Sequence, residues 1–127
     1  MNNIKKQIIL NFNEIILDLL KQTLDILGNS YLFYYQKMIK IDSLKPINTF
    51  INYGLPYKEL VVSRDPTYFY DEKNISNNIE DDDEKDYYFT EIIKLKSIYI
   101  NVDDTSKKNL WNILDALILL SEKFINN

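Results

Sequence analysis

The stretch from Asp104 to about Phe124 constrains the fold more than any other part of the sequence. Its large apolar residues recur at spacings of three and four, which is typical of an α-helix with one broad buried face. They are Leu110, Ile113, Leu114, Leu117, Leu120 and Phe124. A helix this apolar needs neighbours on several sides, so we expect it to lie at the centre of the fold. Trp111, Leu114 and Leu117 are the predicted core anchors.

Two further helices are predicted in the first third of the chain. Apolar residues hold helical spacing over residues 3 to 27, and again over residues 31 to 41. Gly28 favours a left-handed stop between them, and Ser30 is placed to cap the second helix. The short link predicts that the two helices form an antiparallel hairpin.

The middle of the chain predicts shorter helices. Pro46 suits a first helical turn, and Gly54 with Pro56 interrupts the helix that follows. Residues 57 to 64 allow helix or strand, and apolar residues at helical spacing favour helix. Asp65-Pro66 then resembles the opening of a short helical turn over residues 67 to 70.

Beyond residue 84, a helix is predicted over residues 85 to 97. Residues 98 to 102 alternate apolar and polar side chains, so a strand there is the competing interpretation. Asp103 and Asp104 favour the start of the last helix through capping and the helix dipole. Together these segments predict an all-α fold, a compact bundle of five or six helices forming one domain over residues 1–127.

Residues 71 to 86 are predicted to form an exposed acidic loop. They contain eight acidic residues and two lysines, a local charge of −6 in a chain whose net charge is −4. Lys73 and Ile75 stand where a calcium-binding loop needs oxygen ligands, so we expect no calcium site. Asp81, Asp82 and Asp83 are candidates for docking a basic partner.

The residues that are missing exclude several kinds of chemistry. The chain has no Cys, no His and only two glycines, which excludes thiol and imidazole catalysis, common zinc sites and a glycine-rich phosphate loop. Asp115 interrupts the best apolar run before it reaches the roughly 20 residues that span a bilayer. We therefore expect a non-catalytic protein with no cofactor, no metal and no membrane insertion. An enzyme that works with carboxylates or lysine alone is the third alternative.

Arg64 is the single arginine in a chain with fourteen lysines. A planar donor that forms two parallel hydrogen bonds is the property that distinguishes arginine from lysine. The structural interpretation is a fork onto a carboxylate of a neighbouring helix, either Asp115 or Glu122. The functional alternative is recognition of a phosphate or of a partner's carboxylate.

An aromatic run at the start of the second helix is the other candidate interaction site. Tyr31, Phe33, Tyr34 and Tyr35 cannot all face one core from one helix. We therefore expect part of this run, with Tyr31, Tyr34 and Tyr35 as candidates, to contact a protein partner. Base stacking is the alternative, with Lys37, Lys40 and Lys45 as a modest basic face over residues 31 to 45.

Several stretches together resemble one group of proteins and cover most of residues 12 to 124. They are FNEIILDLL (12–20), Lys45-Pro46 followed by Phe50, PYK (56–58), RDPTYF (64–69), LKSIY (95–99) and KKNLW (107–111) running on to Leu114. These stretches resemble small uncharacterised helical proteins of giant nucleocytoplasmic DNA viruses of the mimivirus kind. The resemblance implies a compact helical protein in the cytoplasm of an infected host cell or in the virion, and it implies no activity.

The abundance of Ile, Asn and Lys agrees with this resemblance. The chain has 19 Ile, 15 Asn and 14 Lys, residues whose codons are rich in A and T. The expected function is a viral protein–protein interaction or virion-associated accessory role, with a viral or host partner or a second copy of the chain. A nucleic-acid-associated role for the Tyr/Lys face of residues 31 to 45 is the alternative.

Overall fold

The computed structural model describes residues 1–70 and 92–127 of the protein. Within these two ranges the regular elements are eight α-helices and one 3₁₀ helix, with no strand, and the all-α prediction is confirmed. The elements are α1 (Asn3–Gln22), α2 (Leu24–Leu27), α3 (Asn29–Ile41), α4 (Lys45–Tyr53), the 3₁₀ helix (Leu55–Tyr57), α5 (Lys58–Val62), α6 (Thr67–Tyr70), α7 (Lys96–Tyr99) and α8 (Asp104–Asn126). The predicted acidic loop at 71–86 lies outside the described residues, as does the start of the helix predicted over 85–97.

Helix α8 has the central position that its apolar face predicted. It packs against α1, α4, α5 and α7, and its inner face is buried along most of its length. The buried residues are Leu110, Trp111, Leu114, Leu117, Ile118 and Ser121. Asp103 caps the helix, because its carboxylate accepts a hydrogen bond from the Ser106 amide at 2.8 Å. That hydrogen bond lowers the pKa of Asp103 below its ordinary value.

The predicted first helix is divided at Thr23. The buried hydroxyl of Thr23 donates to the Leu19 carbonyl oxygen at 2.8 Å, an interaction that competes with regular helix geometry. Helix α1 therefore ends at Gln22, and the four-residue α2 follows. Gly28 then adopts a left-handed φ of 76°, as predicted. The prediction that Ser30 caps the next helix is wrong, because α3 begins at Asn29 and Ser30 lies inside it.

Helices α1 and α3 pack against each other, as the predicted hairpin requires. A polar link joins them inside the core. The Tyr35 hydroxyl donates to the Asn13 side-chain oxygen at 3.3 Å, and the Asn13 amide donates to the Ser43 carbonyl oxygen at 3.0 Å. Next to this link, Phe12 of α1 contacts Phe50 of α4 edge-on, with ring centroids 5.7 Å apart.

Residues 98 and 99 are helical and residues 100 and 101 form a turn, so the strand considered over 98–102 is not formed. The Tyr99 amide donates to the Leu95 carbonyl oxygen at 3.0 Å, and the Asn101 amide to that of Ile98. Ile98 and Tyr99 are both buried, whereas a strand would place adjacent side chains on opposite faces. Residues 58–62 are likewise helical, which agrees with the helix favoured over a strand for residues 57 to 64. Leu95 interrupts the helix predicted over 85–97 because its φ of 62° lies in the left-handed region.

Candidate interaction surfaces

Five aromatic side chains from α6, α7 and α8 form what we call the aromatic cluster: Tyr68, Phe69, Tyr70, Tyr99 and Trp111. Phe69 and Tyr99 stack almost parallel, with ring centroids 3.9 Å apart and planes inclined by 6°. Trp111 closes the cluster, edge-on to Phe69 at 4.9 Å and to Tyr99 at 5.9 Å. All members except Tyr70 are buried. Such packing of rings is a stabilising core arrangement.

Three cations lie over the faces of these rings or of their neighbour Tyr57. The guanidinium carbon of Arg64 is 5.8 Å from the Trp111 ring centre, and the Lys107 amine is 5.0 Å from that of Tyr99. The buried Lys94 amine lies 4.7 Å from the ring centre of Tyr68 and 5.1 Å from that of Tyr57. Attraction between a cation and the ring face stabilises each pair. These three cations are therefore engaged by contacts within the fold.

Arg64 forms the fork that the sequence predicted, with Asp115 as its partner. Nη1 donates to Oδ1 at 2.9 Å and Nη2 donates to Oδ2 at 2.7 Å. Hydrogen bonding to Asp115 raises the pKa of Arg64, so the guanidinium stays charged. The other candidate partner, Glu122, pairs instead with Lys58 at 3.0 Å. Because the guanidinium already donates two hydrogen bonds to Asp115, it is poorly placed to recognise an external anion.

The buried hydroxyl of Tyr68 finds no hydrogen-bond partner among the residues that the structure describes. Burial raises the pKa of Tyr68 well above its ordinary value, so the hydroxyl is neutral at physiological pH. The ring is held by Phe69 edge-on at 5.2 Å and by the Lys94 amine above its face. Tyr68 thus contributes packing, and its hydroxyl is a buried polar atom that no described residue satisfies.

The predicted interaction residues on α3 are only partly exposed. Tyr35 is fully buried and bonded to Asn13, so its prediction as an interaction residue is wrong. The reason is its position on the inner face of α3, where burial also raises its pKa well above the ordinary value. Tyr31 and Tyr34 are half-buried against the core, whereas Phe33 is 62% exposed. The candidate docking residues Asp81, Asp82 and Asp83 lie outside the described residues.

A surface groove that the sequence did not predict lies where the turn between α3 and α4 meets the first half of α1. It encloses about 370 Å³ and is lined by Met1, Lys6, Ile9, Leu10, Ser43 and Leu44. Met1 is 60% exposed and Leu10 is 56% exposed, so these two apolar side chains of the lining face solvent, whereas Ile9 is buried. We refer to it as the α1 groove.

Hydrogen bonds fix Ser43 and Leu44, the turn residues that form one wall of the α1 groove. The Asn13 amide donates to the Ser43 carbonyl oxygen, and the Asp42 carboxylate accepts from the Leu44 amide at 3.1 Å. The groove is therefore formed before any partner arrives. Its sequence signal is Leu10, which is apolar but lies off the buried stripe of Ile9, Phe12 and Ile16.

Neither a cluster of metal ligands nor a membrane-spanning helix is present among the described residues. No group of three or more acidic side chains among residues 1–70 and 92–127 is arranged to hold a metal ion. None of the described helices has the length and apolar character needed to cross a membrane. No family model, curated protein or solved structure matches this chain.

Proposed function

We propose that the protein is non-catalytic and acts by binding another protein through the α1 groove. The observation that supports this is a preformed concave surface with exposed Met1 and Leu10 in its lining. Single exposed apolar residues are ordinary on a protein surface, whereas apolar residues gathered in one concavity are typical of interaction sites. The aliphatic lining favours insertion of apolar side chains from a partner.

The lining also favours binding over catalysis. Among the described lining residues, the polar side-chain groups are the amine of Lys6 and the hydroxyl of Ser43. Nucleophilic catalysis by such a pair needs a neighbouring base or a strongly lowered pKa. Within the described lining there is no carboxylate to orient or activate either group.

The proposed setting follows from the resemblance to giant-virus proteins described above. On that basis we propose an accessory role in the cytoplasm of an infected host cell or in the virion. The partner is a viral protein, a host protein or a second copy of the chain, and light scattering on the purified protein separates self-association from the other two.

The test uses two exposed leucines that are matched in exposure. Leu10 lies in the α1 groove and is 56% exposed, whereas Leu119 on α8 is 54% exposed and does not line it. Immobilised wild-type, Leu10→Gln and Leu119→Gln proteins are each incubated with infected-cell lysate, and the bound proteins are quantified by mass spectrometry. We expect Leu10→Gln to lose partners, or self-association, that Leu119→Gln retains. Equal recovery by both variants would contradict the proposal.

A nucleic-acid role is the second candidate, because the outer face of α3 exposes Phe33 together with Lys37 and Lys40. Burial of Tyr35 removes one of the rings that this role would use. Binding to single- and double-stranded oligonucleotides at increasing salt is the test. A steep fall in affinity with salt, removed by Lys37→Gln and Lys40→Gln together, would support this second role.

A further inference from the structure

The lysines near the α1 groove differ from the cations at the aromatic cluster. Arg64, Lys94 and Lys107 are engaged by a carboxylate or by ring faces. In contrast, Lys6 and Lys40 form no ion pair with any residue of the described ranges. Lys6 is part of the groove lining, and Lys40 lies in the last turn of α3, three residues before Ser43.

The nearby carboxylates do not cancel this positive charge. Asp42 uses one carboxylate oxygen to accept the hydrogen bond from the Leu44 amide. Glu14 is exposed one helical turn beyond Leu10. Against these two acids stand Lys6 of the lining and, near the end of α3, Lys40 and Lys37, so the described side chains of these segments carry a positive excess.

An apolar groove beside amines that form no ion pair with any described residue restricts the kind of partner that fits. A purely apolar occupant would desolvate Lys6 without compensating its charge, which is unfavourable. A carboxylate on the occupant would replace the lost hydration with a charge-assisted hydrogen bond. A nucleic acid would supply anions as well, but the described residues of the groove lining include no aromatic ring on which a base could stack.

We propose that the α1 groove binds an acidic amphipathic segment of a partner protein. Apolar side chains spaced by three or four residues on one face of the segment insert beside Leu10 and Leu44. Carboxylates flanking that face pair with Lys6 and Lys40. The volume of about 370 Å³ suits a few side chains of a single helix laid in the groove. This inference rests on the proposed function of the groove and adds the chemistry of its occupant.

The test titrates labelled synthetic peptides against the intact protein by fluorescence anisotropy. The first peptide is a helix of about four turns with Leu at i, i+3, i+4 and i+7 and Glu at the flanking positions. The second has Gln in place of every Glu, and the third has Lys in place of every Glu. We expect the Glu peptide to bind about tenfold more tightly than the Gln peptide at low salt, and we expect the Lys peptide to bind most weakly. Screening should reduce the difference as salt rises.

Two pairs of variants connect this charge preference to the groove. Lys6→Gln should weaken binding of the Glu peptide about threefold and leave the Gln peptide unaffected, as expected for one partly exposed ion pair. Lys21→Gln, on the same helix but outside the lining, is its control and should change neither affinity. Leu10→Gln should weaken both peptides, and Leu119→Gln should weaken neither.

The outcomes distinguish failure of this inference from failure of the proposed function. Equal affinities for the Glu and Gln peptides, both weakened by Leu10→Gln, would overturn the acidic partner and leave the groove as a protein-binding site. Failure of the Glu peptide to bind would also overturn the acidic partner, while the lysate capture with Leu10→Gln separately decides the proposed function. If an oligonucleotide bound through Lys6 and the Glu peptide did not bind, the acidic partner would be overturned in favour of nucleic acid.

Discussion

The aromatic cluster and the α1 groove both place large apolar side chains beside cations, yet the two regions are organised differently. In the cluster, rings cover one another and Arg64, Lys94 and Lys107 are engaged inside the fold. In the groove, Leu10 faces solvent and Lys6 has no ion-pair partner among the described residues. A region whose rings and cations contact one another contributes stability, whereas a region with exposed apolar groups and a lysine that no described residue pairs is available for binding. The aromatic cluster is therefore not where we place the interaction site.

The largest expected effect is the loss of Trp111 from the aromatic cluster. Trp111→Ala removes a buried ring that contacts Phe69 and Tyr99, so we expect the free energy of unfolding to fall by about 3–5 kcal/mol. Urea denaturation followed by circular dichroism measures the change. Leu119→Ala, at an exposed position, is the control and should change stability by less than about 0.5 kcal/mol. A loss below about 1 kcal/mol for Trp111→Ala would show that the cluster is not a stabilising core.

Alkaline pH should weaken the fold through its buried tyrosines. Burial raises the pKa of both Tyr35 and Tyr68 above the value of about 10 that holds in the unfolded chain. Above that pH the unfolded state binds fewer protons than the folded state, so stability is complete below about pH 10 and falls as pH rises further. Urea midpoints between pH 8 and 11 measure this fall. The variant carrying both Tyr35→Phe and Tyr68→Phe should show a smaller fall, and an unchanged slope would argue against the two residues as its source.

The outcome for these two tyrosines illustrates what the sequence can predict. Helical periodicity located α1, α3 and α8 to within a few residues, because an apolar stripe requires a helix to bury it. It also predicted the fork of Arg64 with Asp115 as one of two alternatives. It did not place Tyr35, because a run of adjacent aromatics does not reveal which member faces inward until α3 is oriented against α1.

The α1 groove was missed for a related reason. Its lining combines residues 1 to 10 with residues 43 and 44, so it exists only after the turn between α3 and α4 has packed on α1. Leu10 alone was visible as an apolar residue off the buried stripe. Left-handed backbone at Arg64 and Leu95 was also beyond sequence reasoning, since neither residue type favours a positive φ.

Replacing single hydroxyl groups compares the two regions at finer scale. Tyr35→Phe removes the hydroxyl that bonds Asn13 behind the groove wall and should cost about 1 kcal/mol. Tyr68→Phe removes a buried hydroxyl that has no partner among the described residues, so it should be neutral or slightly stabilising. Thermal unfolding of the two variants measures the contrast. Equal destabilisation by both would mean that the Tyr68 hydroxyl is bonded in solution.

The fork between Arg64 and Asp115 should contribute less than the rings beneath it. Both side chains are about half exposed, so solvent screening limits the coupling to about 0.5–1 kcal/mol even with two short hydrogen bonds. A double-mutant cycle with Arg64→Lys and Asp115→Asn measures that coupling. Lysine keeps the charge and loses the second hydrogen bond, so a coupling near zero in this cycle would show that charge alone matters.

The smallest change in stability is expected in the region assigned to binding. Leu10→Gln replaces a half-exposed leucine on α1 with a residue of similar helix propensity, so unfolding should change by less than about 0.5 kcal/mol. The same variant should lose partner binding, whereas the main effect of Trp111→Ala should be a loss of folding stability. This opposite pattern is what separates an open surface from a closed core. If Leu10→Gln destabilised the fold by more than about 2 kcal/mol, Leu10 would be a packing residue and the distinction between the two regions would fail.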